Sequence, residues 1–141
     1  MAAMKAKCLA AILGVAAVAV FVTGCVSTVS GDTKAGVPFV KDKIEAAYER
    51  PMETVFQAAK DVIKANGAII RETTLQNQTN TVNGIAKVVE GKVNQCSVWV
   101  LTAQVDRKVT QVTVQTRTSA GGADINLAAE IDKQIALRLV R

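Results

Sequence analysis

Four short segments rich in β-branched residues limit what this chain can fold into. Polar or glycine-containing turns separate these segments, which span residues 68–75, 81–89, 97–105 and 109–119. Alternation of apolar and polar residues over such lengths predicts strands with one buried face. Residues 43–49 alternate in the same way, with Ile44, Ala46 and Tyr48 on one face. We therefore expect a sheet of about five strands.

Two stretches with a helical period flank the last four strands. Pro51 suits the first turn of a helix, and an apolar stripe follows it at Met52, Val55, Phe56, Ala59 and Ile63. We expect this helix to end at Asn66 and Gly67, with Gly67 as a left-handed cap. Asp124 is expected to cap a second helix, whose apolar stripe is Leu127, Ala128, Ile131, Ile135 and Leu139. A core stripe is the favoured interpretation of the first helix, and a partner-binding or membrane-surface helix is the alternative.

The order of these segments, β-α-β-β-β-β-α, predicts an α+β fold. Two helices would pack on one face of an antiparallel sheet of about five strands, and the other face would be wet. In the strand at 97–105 we assign one face to the core, with Trp99, Leu101, Ala103 and Val105 on it. Stacking of Trp99 on a ligand is the alternative. Glu90 and Gly91 are expected to form a turn.

The N-terminal residues have the three-part order of a secretory signal. Lys5 and Lys7 precede an uncharged apolar run at residues 9–22, and the small residues Thr23 and Gly24 follow. A helix over this run would rise about 21 Å, which is short of a hydrocarbon core of roughly 30 Å. A permanent membrane-spanning anchor is therefore the weaker alternative.

Val22, Thr23, Gly24 and Cys25 resemble the lipobox of bacterial lipoprotein signals. The resemblance implies that Cys25 receives a thioether-linked diacylglycerol, that the chain is cut before Cys25, and that an acyl chain such as palmitate is added to the new N terminus. Several chains on one residue make a durable membrane anchor. Val26, in place of an aspartate, implies transport to the outer membrane, where the protein would face the periplasm. The alternative is an ordinary signal peptide with an incidental thiol.

Cleavage at this position would divide the chain into three parts. Residues 1–24 would be a lipoprotein signal peptide, residues 25–40 a lipidated cysteine with a flexible tether, and residues 41–141 a single α+β domain. The tether is rich in Ser, Thr and Gly, which cannot bury much apolar surface. Without the two lysines of the signal, 15 basic residues remain against 12 acidic residues. This small excess and the predicted export argue against nucleic acid as a partner.

The chain contains no histidine, so the commonest general base and metal ligand are missing. Cys8 would leave with the signal and Cys25 would carry lipid, so we expect Cys96 to be a buried thiol without a disulfide partner. We predict no catalytic residue, no cofactor and no metal site, and lipid attachment at Cys25 as the functional site. The predicted function is that of a non-enzymatic binding or structural module anchored in the cell envelope. The alternative is a small envelope hydrolase or redox-active protein that uses carboxylates or Cys96.

The last strand supplies a sequence-based candidate for a binding surface. Its polar residues are Thr110, Gln111, Thr113, Gln115, Thr116, Arg117 and Thr118. Such a surface could meet peptidoglycan, another envelope protein or the edge strand of a second copy. The favoured interpretation is a solvated sheet face built from β-favouring threonines, and the binding surface is the alternative.

Two longer stretches, with the Gly24–Cys25 junction, resemble a family of small bacterial lipoproteins known only as a domain of unknown function. They are YERPMETVFQAAKDVIKANG at residues 48–67 and DRKVTQVTVQTRTSAGGADINLAAEI at residues 106–131. The resemblance covers most of the mature chain and brings no catalytic residues. The last strand of that family usually ends in arginine, a small apolar residue and glycine, whereas Thr118 and Ser119 follow Arg117 here.

Overall fold

A computed structural model describes Phe39 and residues 41–141. The predicted signal peptide, Cys25 and most of the predicted tether lie outside these described residues. The elements are β1 (Lys43–Tyr48), α1 (Met52–Asn66), β2 (Gly67–Leu75), β3 (Ala86–Val93), β4 (Cys96–Asp106), β5 (Val109–Arg117) and α2 (Ile125–Val140). This order confirms the predicted α+β fold with two helices and five strands.

The five strands form one antiparallel sheet in the order β1-β5-β4-β3-β2. Strands β2 to β5 are a meander of sequential neighbours, whereas β1 and β2 lie at opposite edges. Helix α1 connects these two edges. Its 15 residues rise about 22 Å, which is enough to cross the roughly 19 Å width of a five-stranded sheet.

Both helices pack on the same side of the sheet, which we call the helix-covered face. The core between them consists of Val55, Phe56, Ala58, Ala59, Val62 and Ile63 of α1, Ala128, Ile131 and Ile135 of α2, and Val89, Val93, Val98, Val100, Val112 and Val114 of the sheet. The apolar stripe of α1 is therefore a core stripe, as the favoured interpretation predicted. In α2, the Asp124 carboxylate accepts a hydrogen bond from the Leu127 N–H at 3.0 Å, which confirms the predicted N-cap.

The polar residues of β5 do not form the exposed surface that the sequence suggested. β5 lies between β1 and β4, so it is not an edge strand. Thr110 and Thr116 are on the helix-covered face and are 0% and 1% exposed. The Thr110 hydroxyl donates to the Arg50 carbonyl at 2.8 Å, and the Thr116 hydroxyl donates to the Asp124 carbonyl. Because these hydroxyls are satisfied by backbone oxygens, they can be buried without a large penalty.

The assignment of faces in β4 was wrong. Val98 and Val100 are fully buried on the helix-covered face, whereas Trp99, Leu101 and Ala103 are half-buried on the opposite side, which we call the open face. Both faces of β4 are apolar, so alternation alone cannot distinguish them. Pairing decides the matter, because Val100 lies opposite Val114 and Val89, which face the helices.

The third strand begins later and extends further than expected. β3 starts at Ala86 rather than at residue 81, and Glu90 and Gly91 are inside it. The turn to β4 is formed by Asn94 and Gln95, with φ angles of 48° and 65°, as a two-residue hairpin turn requires.

Gly91 therefore marks a close approach of α1 and not a turn. A Cβ at Gly91 would lie 2.4 Å from Cγ2 of Ile63.

Gly67 also differs from the prediction. Helix α1 ends at Asn66 as expected, but Gly67 has an extended φ of −177° and begins β2 instead of forming a left-handed cap.

Candidate ligand-binding cleft on the open face

Gln115 ties the segment before β1 to the open face of the sheet. Its side chain is only 3% exposed although it points away from the helices. The amide oxygen accepts a hydrogen bond from the Phe39 N–H at 2.7 Å, and the amide nitrogen donates to the Lys41 carbonyl at 2.6 Å. Both ends of the amide are satisfied, and the backbone at Phe39 is thereby fixed against the sheet.

The loop between β2 and β3, at residues 76–85, covers another part of the open face. The Val82 N–H donates to the Gln104 carbonyl of β4 at 2.8 Å. Within the loop, the Gln78 N–H donates to the Gly84 carbonyl at 3.0 Å, and the Thr81 hydroxyl donates to the Gln78 carbonyl at 3.0 Å. These contacts hold the loop against the sheet in a defined shape.

A cleft of about 320 Å³ lies between Phe39 and this loop. We call it the open-face cleft. Its walls are Phe39 and residues 78–81, and its floor includes Glu45, Ala86, Leu101, Ala103, Gln111 and Thr113. The floor thus crosses β1, β5, β4 and β3 in their spatial order. The volume is near the lower end of the range for small-molecule sites.

The polar groups of the cleft are neutral as a set. Lys43 and Glu45 both line it, and the ammonium nitrogen of Lys43 lies 2.5 Å from the Glu45 carboxylate, so their charges compensate. The other polar side chains are amides and hydroxyls, from Gln78, Thr79, Asn80, Thr81, Gln111 and Thr113. Each amide or hydroxyl can both donate and accept hydrogen bonds.

Trp99 lies beside this cleft and not under the helices. It is two residues from Leu101 on the same face of β4, which corresponds to about 7 Å along the strand. Its indole is half-buried. This position on the open face agrees with the alternative interpretation of Trp99, in which the indole stacks on a ligand.

A second depression lies between α1 and the C-terminal end of α2. It is larger, about 570 Å³, and residues such as Glu53, Asp61, Arg138 and Arg141 line it. It is a groove between helix surfaces that opens widely to solvent. The open-face cleft is better bounded, because Phe39 and the β2–β3 loop close two of its sides.

Cys96 lies at the start of β4, opposite Val93, and is buried as a free thiol, as the sequence predicted. It is on the helix-covered face and so is separated from the open-face cleft by the sheet. Cys25, the predicted lipid-attachment residue, lies outside the described residues.

Two carboxylates of the helix-covered side pair with basic side chains. Glu53 contacts Lys87 at 2.5 Å and Glu72 contacts Lys60 at 3.0 Å. Both lysines also lie over the Phe56 ring, 5.4 and 5.6 Å from its centroid. These contacts join α1 to the sheet. Among Phe39 and residues 41–141, no group of three Asp, Glu or Cys side chains is placed to hold a metal ion.

Tyr48 joins the edge strand β1 to α2. Its hydroxyl donates to the Asp132 carboxylate at 2.7 Å. Burial, this hydrogen bond and the negative charge of Asp132 together raise the pKa of Tyr48 well above its ordinary value. The neutral phenol is therefore favoured in the folded state.

This shift predicts a loss of stability in alkaline solution that depends on Tyr48. Above about pH 10 the unfolded chain loses the phenolic proton while the folded chain keeps it, so the free energy of unfolding falls as the pH rises. We expect Tyr48→Phe to lose about 1 kcal/mol at pH 7 and to show a shallower decrease above pH 10. Urea unfolding of both chains from pH 7 to 11 measures this. Equal slopes would contradict the account.

Comparison with known proteins identifies a family and adds no activity. A family model described as "Protein of unknown function (DUF3568)" matches residues 7–138. The chain belongs to this family. No curated protein matches it. Within the part of the chain that the structure describes, no helix is long and apolar enough to span a membrane.

Proposed function

We propose that this protein is a lipid-anchored lipoprotein of the bacterial cell envelope that acts as a non-enzymatic binding or structural module. The observation that carries the proposal is the sequence Val22-Thr23-Gly24-Cys25 at the end of a basic and then apolar N-terminal segment. The range matched by the family model includes this segment from residue 7 and includes Cys25. Val26 after the cysteine favours the outer membrane, with the domain facing the periplasm.

The open-face cleft supports a binding role for the domain. Its amides, hydroxyls and compensated charges are groups that hold a ligand, and its partner would be peptidoglycan or another envelope component. Diacylglycerol and acyl chains on Cys25 would supply the contact with the membrane. A flexible linker of about 13 residues has an average span of about 20 Å, so a tether of that length, as we propose for residues 26–38, would keep the cleft close to the bilayer surface.

Membrane fractionation of two cysteine variants tests the proposal. After growth with labelled palmitate, we expect label on the native chain in the membrane fraction and none on Cys25→Ala, because the variant has no thiol to receive lipid. Cys8→Ala is the matched control, since it changes the same residue type within the predicted signal and should leave the labelling unchanged. Palmitate label on Cys25→Ala at the native level would contradict lipid anchoring.

The enzymatic alternative makes a different prediction. A hydrolase or redox protein would lose its envelope phenotype when Cys96 or one carboxylate is replaced and the fold is retained. Cys96→Ala and Glu45→Gln are suitable variants, because the first residue is a buried thiol and the second is the carboxylate that lines the cleft. The binding-module proposal predicts that Cys96→Ala keeps the native phenotype.

A further inference from the structure

We propose that the open-face cleft binds an uncharged saccharide unit. This inference rests on the proposed binding-module function and is independent of the lipid anchor. It follows from three properties of the cleft: the backbone at the centre of its floor is engaged within the sheet, its charge is compensated, and it offers apolar surface together with neutral polar side chains.

The floor of the cleft has no free backbone edge in its centre. β3, β4 and β5 each pair with a strand on both sides, so their N–H and C=O groups are used within the sheet. A ligand on this floor meets side chains and cannot add to the sheet as an extended peptide does. Recognition by side-chain amides and hydroxyls is what a ligand rich in hydroxyl groups requires.

The charge of the cleft favours a neutral ligand. The Lys43–Glu45 pair leaves no net charge among the lining groups, so neither an anion nor a cation finds a complementary field there. A buried or half-buried unpaired charge is costly. An uncharged ligand with hydroxyls can instead accept from the ammonium group and donate to the carboxylate without breaking the pair.

The polar and apolar groups of the cleft match the two kinds of surface of a sugar ring. A pyranose has C–H faces and a rim of hydroxyls. Leu101, Ala103 and the Phe39 wall offer apolar surface, residues 78–81 offer hydroxyls and amides on the opposite wall, and Gln111 and Thr113 add an amide and a hydroxyl on the floor. Gln115 bonds the Phe39 N–H and the Lys41 carbonyl, so the backbone of this wall is fixed before a ligand arrives.

Fluorescence of Trp99 provides a direct test, since it is the only tryptophan of the chain and lies next to the cleft. The full chain is titrated with N,N′-diacetylchitobiose in one arm and with maltose in the other. We expect a saturable change in the emission of Trp99 with at least one sugar. Binding of the acetylated sugar alone identifies an N-acetylated glycan as the ligand class, and binding of both sugars identifies a general saccharide site.

Two variants and one control locate the binding site. Ala103→Phe places a ring on the floor of the cleft and should weaken binding by at least about tenfold. Asn80→Ala removes an amide from the exposed loop wall, where folding is not at risk, and should weaken binding several-fold. Ala68→Phe is the matched control, because Ala68 is exposed on β2 outside the cleft and its replacement should leave the affinity unchanged.

The outcomes that overturn the proposal are distinct from failure of the anchor. No saturable change with either sugar up to its solubility limit, in a folded chain, would overturn the saccharide site. So would equal affinities of the native, Ala103→Phe and Asn80→Ala chains. The titration is repeated on Cys25→Ala, whose cleft is intact, so that a negative result for the cleft and a negative result for lipid anchoring are measured separately.

Discussion

Val100→Asp is expected to prevent the domain from folding, whereas Leu101→Asp, one residue further along β4, is expected to fold. Val100 is 0% exposed under the helices, and Asp at that position would bury a carboxylate without a partner. The cost is several kcal/mol, against a total stability of about 5 to 15 kcal/mol for a domain of this kind. Leu101 lies on the open face, in the floor of the cleft, where a carboxylate reaches water.

Circular dichroism and urea unfolding of both variants measure this difference. The native chain and Leu101→Asp should unfold cooperatively, with Leu101→Asp less stable by about 1 to 2 kcal/mol because apolar contact is lost. Val100→Asp should lack a cooperative transition. The reverse result, a folded Val100→Asp and an unfolded Leu101→Asp, would show that the two faces of β4 have been assigned incorrectly.

Gly67→Ala is expected to be the most damaging glycine substitution in the sheet. A Cβ at this position would lie 2.0 Å from the Lys92 carbonyl oxygen and 3.1 Å from Cα of Val93. These are backbone atoms of β3, which pairs with β2 at this point. They cannot move aside without breaking the pairing of the two strands, so we expect a loss of about 3 kcal/mol or more in the free energy of unfolding.

Gly122→Ala is the control for this prediction. A Cβ at Gly122 has its nearest neighbour at 3.5 Å, the Thr118 hydroxyl oxygen, which is ordinary van der Waals contact. Its effect should stay within about 0.5 kcal/mol of the native chain. Urea unfolding compares the three chains at one pH and temperature. A stability of Gly67→Ala equal to that of Gly122→Ala would mean that β2 and β3 do not approach as described.

The order of the helices and strands was predictable because the local periodicity of apolar residues indicates each element. The helical stripe of α1, the Asp124 cap of α2 and the alternation in β1 and β5 are each encoded within a few neighbouring residues. The faces of β4 were not predictable in this way. Val98 and Val100 are as apolar as Trp99 and Leu101, so only the pairing with β3 and β5 decides which of them lie under the helices.

The two glycines were misread for a related reason. Gly67 follows the last residue of a helical stretch, so the sequence suggested a left-handed cap. Gly91 follows Glu90 at the end of an alternating stretch, so the sequence suggested a turn. In the structure both residues permit close approach: Gly67 to the backbone of β3, and Gly91 to Ile63 of α1. Such contacts join residues that are distant in the sequence, and a single sequence does not reveal them.

The open-face cleft could not be predicted from the sequence. Its floor comes from four strands, and its walls depend on a loop that folds back and on the contacts of Gln115 with Phe39 and Lys41, 76 and 74 residues away. The sequence did show that the region near residues 76–80 is polar and that β5 alternates threonine and glutamine with valine. It did not show that the side chains of Thr113 and Gln115 would be buried.

The intact mass of the protein extracted from bacterial membranes tests the central claim most directly. The account predicts a chain that begins at Cys25 and carries the added mass of a diacylglycerol and an acyl chain, and it predicts that Cys25→Ala lacks both the cleavage and the added mass. A native chain with an unmodified Cys25, whether full-length or cut elsewhere, would contradict the lipoprotein account.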